Sequence, residues 1–328
     1  MIISGPVNLI SNIATVGSQV YGGPVTLAYG NQTADGAMRI TSQDSDITFE
    51  GSLNSDNADR SLVLNALAGK VSLMRNTGYL SPSRFSKGAD IYNFTINAKD
   101  ILLEGDIYTL SAQVFNGAVV ISDNGSNGLI RTFTSQDPSI TFLGTIDDSS
   151  AVTHTLNLKA VSFDANQTPE ITFRGAIGSI VPLGALSATV ETRLDADPSP
   201  NVPGTPNGGI TVGGPITTVG GQTFTGGGIT FDPAPGAGPI ILISKTGTIG
   251  FIGPHGSGGD LDGHIGPNDT PGKQTPVAVI PSNLPPLFPS EEQFLIAGIY
   301  SEGEVLVSEP YKPIPCSDSP AAAPVDCR

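Results

Sequence analysis

The chain has 328 residues and a formal net charge of −15, with 30 acidic against 15 basic side chains and no tryptophan. So acidic a surface repels phosphate and argues against nucleic acid as a partner. With 38% hydrophobic residues the chain is too apolar to be disordered throughout, yet no stretch approaches the roughly 20 consecutive apolar residues of a membrane-spanning helix.

At the N-terminus the run Val7-Asn8-Leu9-Ile10 precedes the first basic side chain, Arg39, so this region does not read as a secretory signal. From residue 7 to about 252 the chain is a succession of short apolar runs separated by Gly, Asn, Asp, Ser or Pro. Val25–Leu27, Ile47–Phe49, Phe94–Ile96, Ala118–Ile121, Ile140–Phe142 and Ile171–Phe173 are examples. Alternation and β-branched content make each a strand.

Two of these stretches recur. Residues 41–53 return as 134–146, 93 residues later, with eight of thirteen positions identical, which marks an internal duplication. Upstream, Gln19–Leu27 matches Gln113–Ile121, and a weaker copy begins at Gln222-Thr223-Phe224. A shorter unit, apolar-x-apolar-x-Gly-x-apolar, places Gly51, Gly105, Gly144 and Gly175 between paired short strands. Glycine suits a corner where a side chain or a positive φ is awkward.

Stacked coils account for these patterns. In a parallel β-helix each coil lies on the last at about 4.8 Å, and inward side chains join apolar ladders without large aromatics. A coil of roughly 20 to 25 residues puts about four coils in each long repeat. A string of immunoglobulin-like sandwiches is the competing architecture, since one such domain is close to the repeat length. The missing tryptophan, the absence of cysteine pairs in the repeats and the close spacing of the runs weigh against it.

Residues 253–290 have the Gly/Pro-rich composition of a linker. In the last segment, 291–328, Gln293–Tyr300 and Glu304–Ser308 flank Ser301-Glu302-Gly303 as a hairpin. Its apolar positions Phe294, Ile296, Ile299, Val305 and Val307, with Val7 and Leu9 at the other end of the chain, are the expected assembly residues, because open sheet edges accept added strands. The two cysteines, Cys316 and Cys327, are expected to close a local disulfide, which implies an oxidising compartment.

Catalytic chemistry is harder to find. The three histidines, His154, His255 and His264, share no spacing that places two on one face, and His154 is expected at solvent or in a turn. The segment Ser257–Gly263 is one imperfect copy of an acidic Gly-rich loop, so no metal site is assigned. Phosphate loops, dinucleotide fingerprints and nucleophile elbows are absent, and no carboxylate pair stands out. No catalytic residue and no cofactor are expected. The five Asn-x-Ser/Thr sequons, at Asn31, Asn93, Asn124, Asn166 and Asn268, are no more than a Ser/Thr/Asn-rich chain carries by chance.

The Tyr21–Leu27 and Phe115–Ile121 starts, the Ile-Thr-Phe-x-Gly units at Ile47, Ile140 and Ile171, and the passage 175–190 resemble the β-helical shafts of filamentous-haemagglutinin-like and autotransporter-passenger exoproteins of bacterial surfaces. The resemblance covers about residues 17–252. The secretion-domain motif Asn-Pro-Asn-Gly-Ile of that family has only a late, imperfect counterpart at Thr205–Ile210.

The expectation is therefore an all-β chain. Residues 1–252 form a right-handed parallel β-helix, 253–290 a linker, and 291–328 a hairpin with a cysteine-containing tail. Its role is that of a non-enzymatic extracellular or cell-surface adhesin, shaft or filament subunit. Its partners are other copies of itself and possible cell-surface glycans or other cells, with no nucleic acid and no transmembrane segment. A polysaccharide-degrading β-helix enzyme and a trimeric virus tailspike are the alternatives.

Overall fold

A computed structural model describes residues 1–28, 36–56, 59–78, 91–123, 128–136, 139–149, 153–164, 167–193, 205–206, 208–234, 240–252 and 277–280. Every regular element among them is a strand, in one 20-stranded and two three-stranded sheets. None of the described residues forms a helix long and apolar enough to cross a membrane.

Strand pairing resolves the sheets into three faces visited in turn. Face 1 begins at Ile2–Ile3, face 2 at Val7–Leu9 and face 3 at Ile13–Thr15. The next strands, Gln19–Tyr21, Val25–Leu27 and Ala37–Ser42, lie parallel on those three in the same order. Parallel register then carries each face onward. On face 3, Ile40 is followed by Leu64, Ile96, Phe115, Phe142, Phe173, Val212 and Phe231. This is a stack of coils, a β-solenoid, and not a row of sandwiches. The one antiparallel pairing among the described residues joins Glu191–Thr192 to Thr205–Pro206.

The core is the column of inward side chains. Strand residues alternate between buried and half-buried positions, as in Ile47–Phe49 and Ile240–Ser244, because successive side chains point to opposite faces. The face 3 column is buried throughout Ile40–Val212, and its rings stack. Phe115 lies 4.7 Å from Phe142, which lies 5.9 Å from Phe173. On the outside of the same face, amides form a ladder. Asn116 donates to Asn97 at 3.3 Å, Asn97 to Asn65 at 2.9 Å, and Asn65 to the Thr41 hydroxyl at 3.2 Å. Asn93, one of the sequons, is part of the sheet, donating to Ser61 and accepting from the Ala112 amide.

The unit glycines are required by close approach between coils. A Cβ on Gly51 would stand 2.3 Å from the Gly23 carbonyl carbon, and one on Gly175 would stand 2.3 Å from the Gly144 oxygen. Gly105 and Gly144 are equally confined by the coil before them. None of the four is among the glycines with positive φ.

The duplicated segments do not occupy equivalent places around the stack. Ile47 lies on face 1 and pairs with Val71, whereas Ile140 lies on face 3 and pairs with Gln113. Between Thr15 and Thr109 the chain crosses face 3 at Ile40, Leu64 and Ile96, passes face 1 at Ile101, and stops on face 2. From Thr109 to Thr218 it crosses face 2 at Phe133, Leu158 and Ala188, passes face 3 at Val212, and stops on face 1. Each repeat is thus three coils and two further faces, close to the four coils expected from its length but not a whole number of them.

Val277–Ile280, inside the stretch expected as linker, pairs in parallel with Ile240–Ile243 on face 1. Phe294, Ile296, Ile299, Val305, Val307, Cys316, Cys327, His255, His264 and the segment Ser257–Gly263 lie outside the described residues. Val7 and Leu9 pair with Val25 and Leu27 on face 2, with Leu9 buried.

Candidate functional site: a charged corner between stacked coils

Among the described residues, a cluster of buried ionisable groups sits where faces 1 and 2 meet. On face 1 the inward column Tyr21, Phe49, Leu73, Leu103, Ile121 is apolar, and the next coil places Asp148 on it. A carboxylate buried in an apolar column needs full hydrogen bonding. Asp148 accepts from the Ser149 amide at 2.7 Å, from the His154 amide, and from His154 Nδ1 at 2.5 Å. The opposite ring nitrogen, Nε2, is 3.2 Å from Oδ2 of Asp123, one coil earlier.

His154 is only 1% exposed, so of its two expected places, at solvent or in a turn, the first is excluded, and it lies in the connection before the strand Thr155–Ser162. Its carbonyl accepts from the Gly184 amide of the following coil at 2.7 Å. Neighbouring Asp147 holds that same coil, accepting from the amides of Ile180 at 2.7 Å and Val181 at 3.3 Å.

Arg131 closes the other side and is fully buried. Its Nε and Nη2 donate to the Ser122 carbonyl at 2.9 and 2.6 Å, and Nη1 donates to the carbonyls of Gly128 and Ile130 at 2.8 and 3.0 Å. Burial draws its pKa down, while Asp106, Asp123, Glu104 and Asp148 oppose that shift. Glu104 is pushed up by burial, against the attraction of Arg131 and with the repulsion of Asp123. At the surface of this corner, Leu129, Ile130 and Ile180 are exposed, Ile180 to 82%.

The cluster therefore acts on the protein's own backbone. Its polar atoms are spent on loop amides and carbonyls across three coils, and its imidazole faces two carboxylates with almost no solvent access. Among the described residues no group of three or more His, Cys, Asp or Glu is arranged to hold a metal ion. The sequence carried one signal of this site that spacing between histidines does not reveal. Strand parity from Ile146 makes Asp148 an inward position, so an acid there demands a buried partner.

A second polar device repeats at all three corners. Thr15, Thr109 and Thr218 each donate to the carbonyl two residues on, at 2.5 Å, and each accepts from the glutamine four residues on, Gln19, Gln113 or Gln222. Each buried glutamine amide also reaches the next coil, donating at 2.7 Å to the carbonyl of Thr41, Thr134 or Ile243. The following serine, Ser42, Ser135 or Ser244, donates back to the carbonyl of Gly17, Ser111 or Gly220.

Comparison with protein-family models, with curated proteins and with solved structures returns no match.

Proposed function

We propose that the chain is the right-handed β-helical shaft of an extracellular, non-enzymatic surface protein, similar in kind to filamentous-haemagglutinin-like and autotransporter-passenger exoproteins. The observation that carries this reading is the parallel stacking of three faces, latched once at each corner by the same Thr-Gln-Ser device. Right-handed connection between parallel strands supports the hand. A stack so built resists unravelling and spaces its surface regularly, which suits reach and contact more than turnover. The acidic surface and the tail cysteines fit a protein exported to an oxidising compartment.

In this reading copies join head to tail. The first-coil strand of Val7 and Leu9 is the acceptor, and the segment containing Phe294, Ile296, Ile299, Val305 and Val307 is the donor. Cell-surface glycans or other cells are the targets of the assembled shaft. Electron microscopy of the full chain and of a chain ending at 290 tests this. Filaments from the first and single rods from the second are expected. Filaments from both would rule out strand donation, and compact isolated particles without rods would remove the shaft reading itself.

A further inference from the structure

We propose that Asp123, His154 and Asp148 form a proton-operated tie between two consecutive coils. The argument rests on donor arithmetic. Ionised carboxylates only accept hydrogen bonds, and an imidazole can donate from both nitrogens only when doubly protonated. Both ring nitrogens of His154 face carboxylate oxygens, at 2.5 Å to Asp148 and 3.2 Å to Asp123. Both contacts are therefore hydrogen bonds only in the imidazolium form.

The two sides are not equivalent. Asp148 has a fully buried side chain and also takes the Ser149 and His154 amides, so it is fixed and holds the Nδ1 proton. Asp123 is 22% exposed on its side chain and belongs to the preceding coil. The proton that leaves is thus the one on Nε2. Its departure sets a nitrogen lone pair against a carboxylate oxygen at the longer and more exposed of the two contacts.

The surrounding charges tune the tie without replacing it. Arg131, together with Glu104 and Asp106, faces the cluster from the preceding coils, and its guanidinium offsets part of the Asp123 and Asp148 charge. The following coil presents backbone, the Gly184 amide, to the His154 carbonyl, and Asp147 turns toward Ile180 and Val181. Protonation therefore strengthens the junction between coils, and loss of the proton as pH rises weakens it. The linked surface is the corner that displays Leu129 and Ile130.

The test is a pH titration of the full chain with 15N-labelled histidine, combined with amide hydrogen exchange at Ser149 and His154. The wild type is expected to lose its proton from Nε2 while Nδ1 stays protonated. The local opening constant should rise about tenfold across that titration. In Asp123→Asn the side-chain amide can donate to the neutral Nε2, so the rise should vanish while the fold is kept. A pH response equal in Asp123→Asn and wild type, or proton loss from Nδ1, would overturn the proposal.

Discussion

Gln113 makes the same donations as Gln19 from a different corner of the solenoid. Gln19 bridges faces 3 and 1 and Gln113 bridges faces 2 and 3, yet each gives its amide to a threonine four residues back and to a carbonyl in the next coil. The repeat can rotate in this way because the three faces are physically alike. Each offers an apolar column inside and a carbonyl row above, and the latch needs nothing else. Eleven face passages per copy, rather than a whole number of coils, distribute the three latches over the three corners.

The latches differ in one atom. In the first, the Tyr21 hydroxyl donates to Oε1 of Gln19 at 2.7 Å. Burial raises the phenol's pKa beyond its ordinary range, so it stays a donor. In the other copies Phe115 and Phe224 occupy the equivalent positions, and Oε1 of both Gln113 and Gln222 is buried without a partner. Phe115→Tyr is expected to stabilise the fold by about 1 kcal/mol, and Tyr21→Phe to cost about 1–3 kcal/mol, by urea unfolding. A loss on Phe115→Tyr would mean that the stack on Phe142 leaves the hydroxyl no room.

Thr77 interrupts the apolar column of face 2 between Leu53 and Ile107, and its buried Oγ1 has no partner. Replacing that hydroxyl by a methyl group removes an unsatisfied polar atom at nearly constant shape. Thr77→Val should raise the unfolding midpoint in urea, corresponding to about 1–3 kcal/mol.

Two glycine substitutions separate close approach from backbone preference. Gly175→Ala drives a methyl into the Gly144 carbonyl and should cost about 1–3 kcal/mol. Gly228→Ala meets nothing within 4 Å and should be neutral or stabilising by up to about 1 kcal/mol. Equal losses in thermal unfolding would show that coil spacing does not select glycine.

The coil stack was legible because alternation and the Ile-Thr-Phe-x-Gly unit record the inward column and the corner directly. The rotation between copies was not. Sequence similarity aligns Ile47 with Ile140, but strand pairing sets Ile47 in the column of Ile146, and only the number of intervening strands distinguishes the two. The buried corner was missed for a related reason. Asp148 and His154 are separated by a loop, and the partner Asp123 lies 31 residues from His154, in the preceding coil. Histidine spacing along the chain carries no trace of a contact made by stacking.

Glu104 tests whether charge at this corner costs or contributes stability. Burial raises its pKa above the unfolded value, and the attraction of Arg131 only partly offsets this. The folded state therefore holds the proton more firmly than the unfolded state. Ionised Glu104 opposes folding at neutral pH, and that penalty fades as pH falls through its folded pKa. Glu104→Gln removes the charge at constant size. It should stabilise the chain at pH 7 by no more than about 1 kcal/mol, since the side chain is partly solvated. The gap from wild type should close in acid, where both side chains are neutral. Chemical denaturation of both proteins across the acid-to-neutral range measures this. A variant less stable than wild type at pH 7 would show that the Arg131 attraction outweighs desolvation.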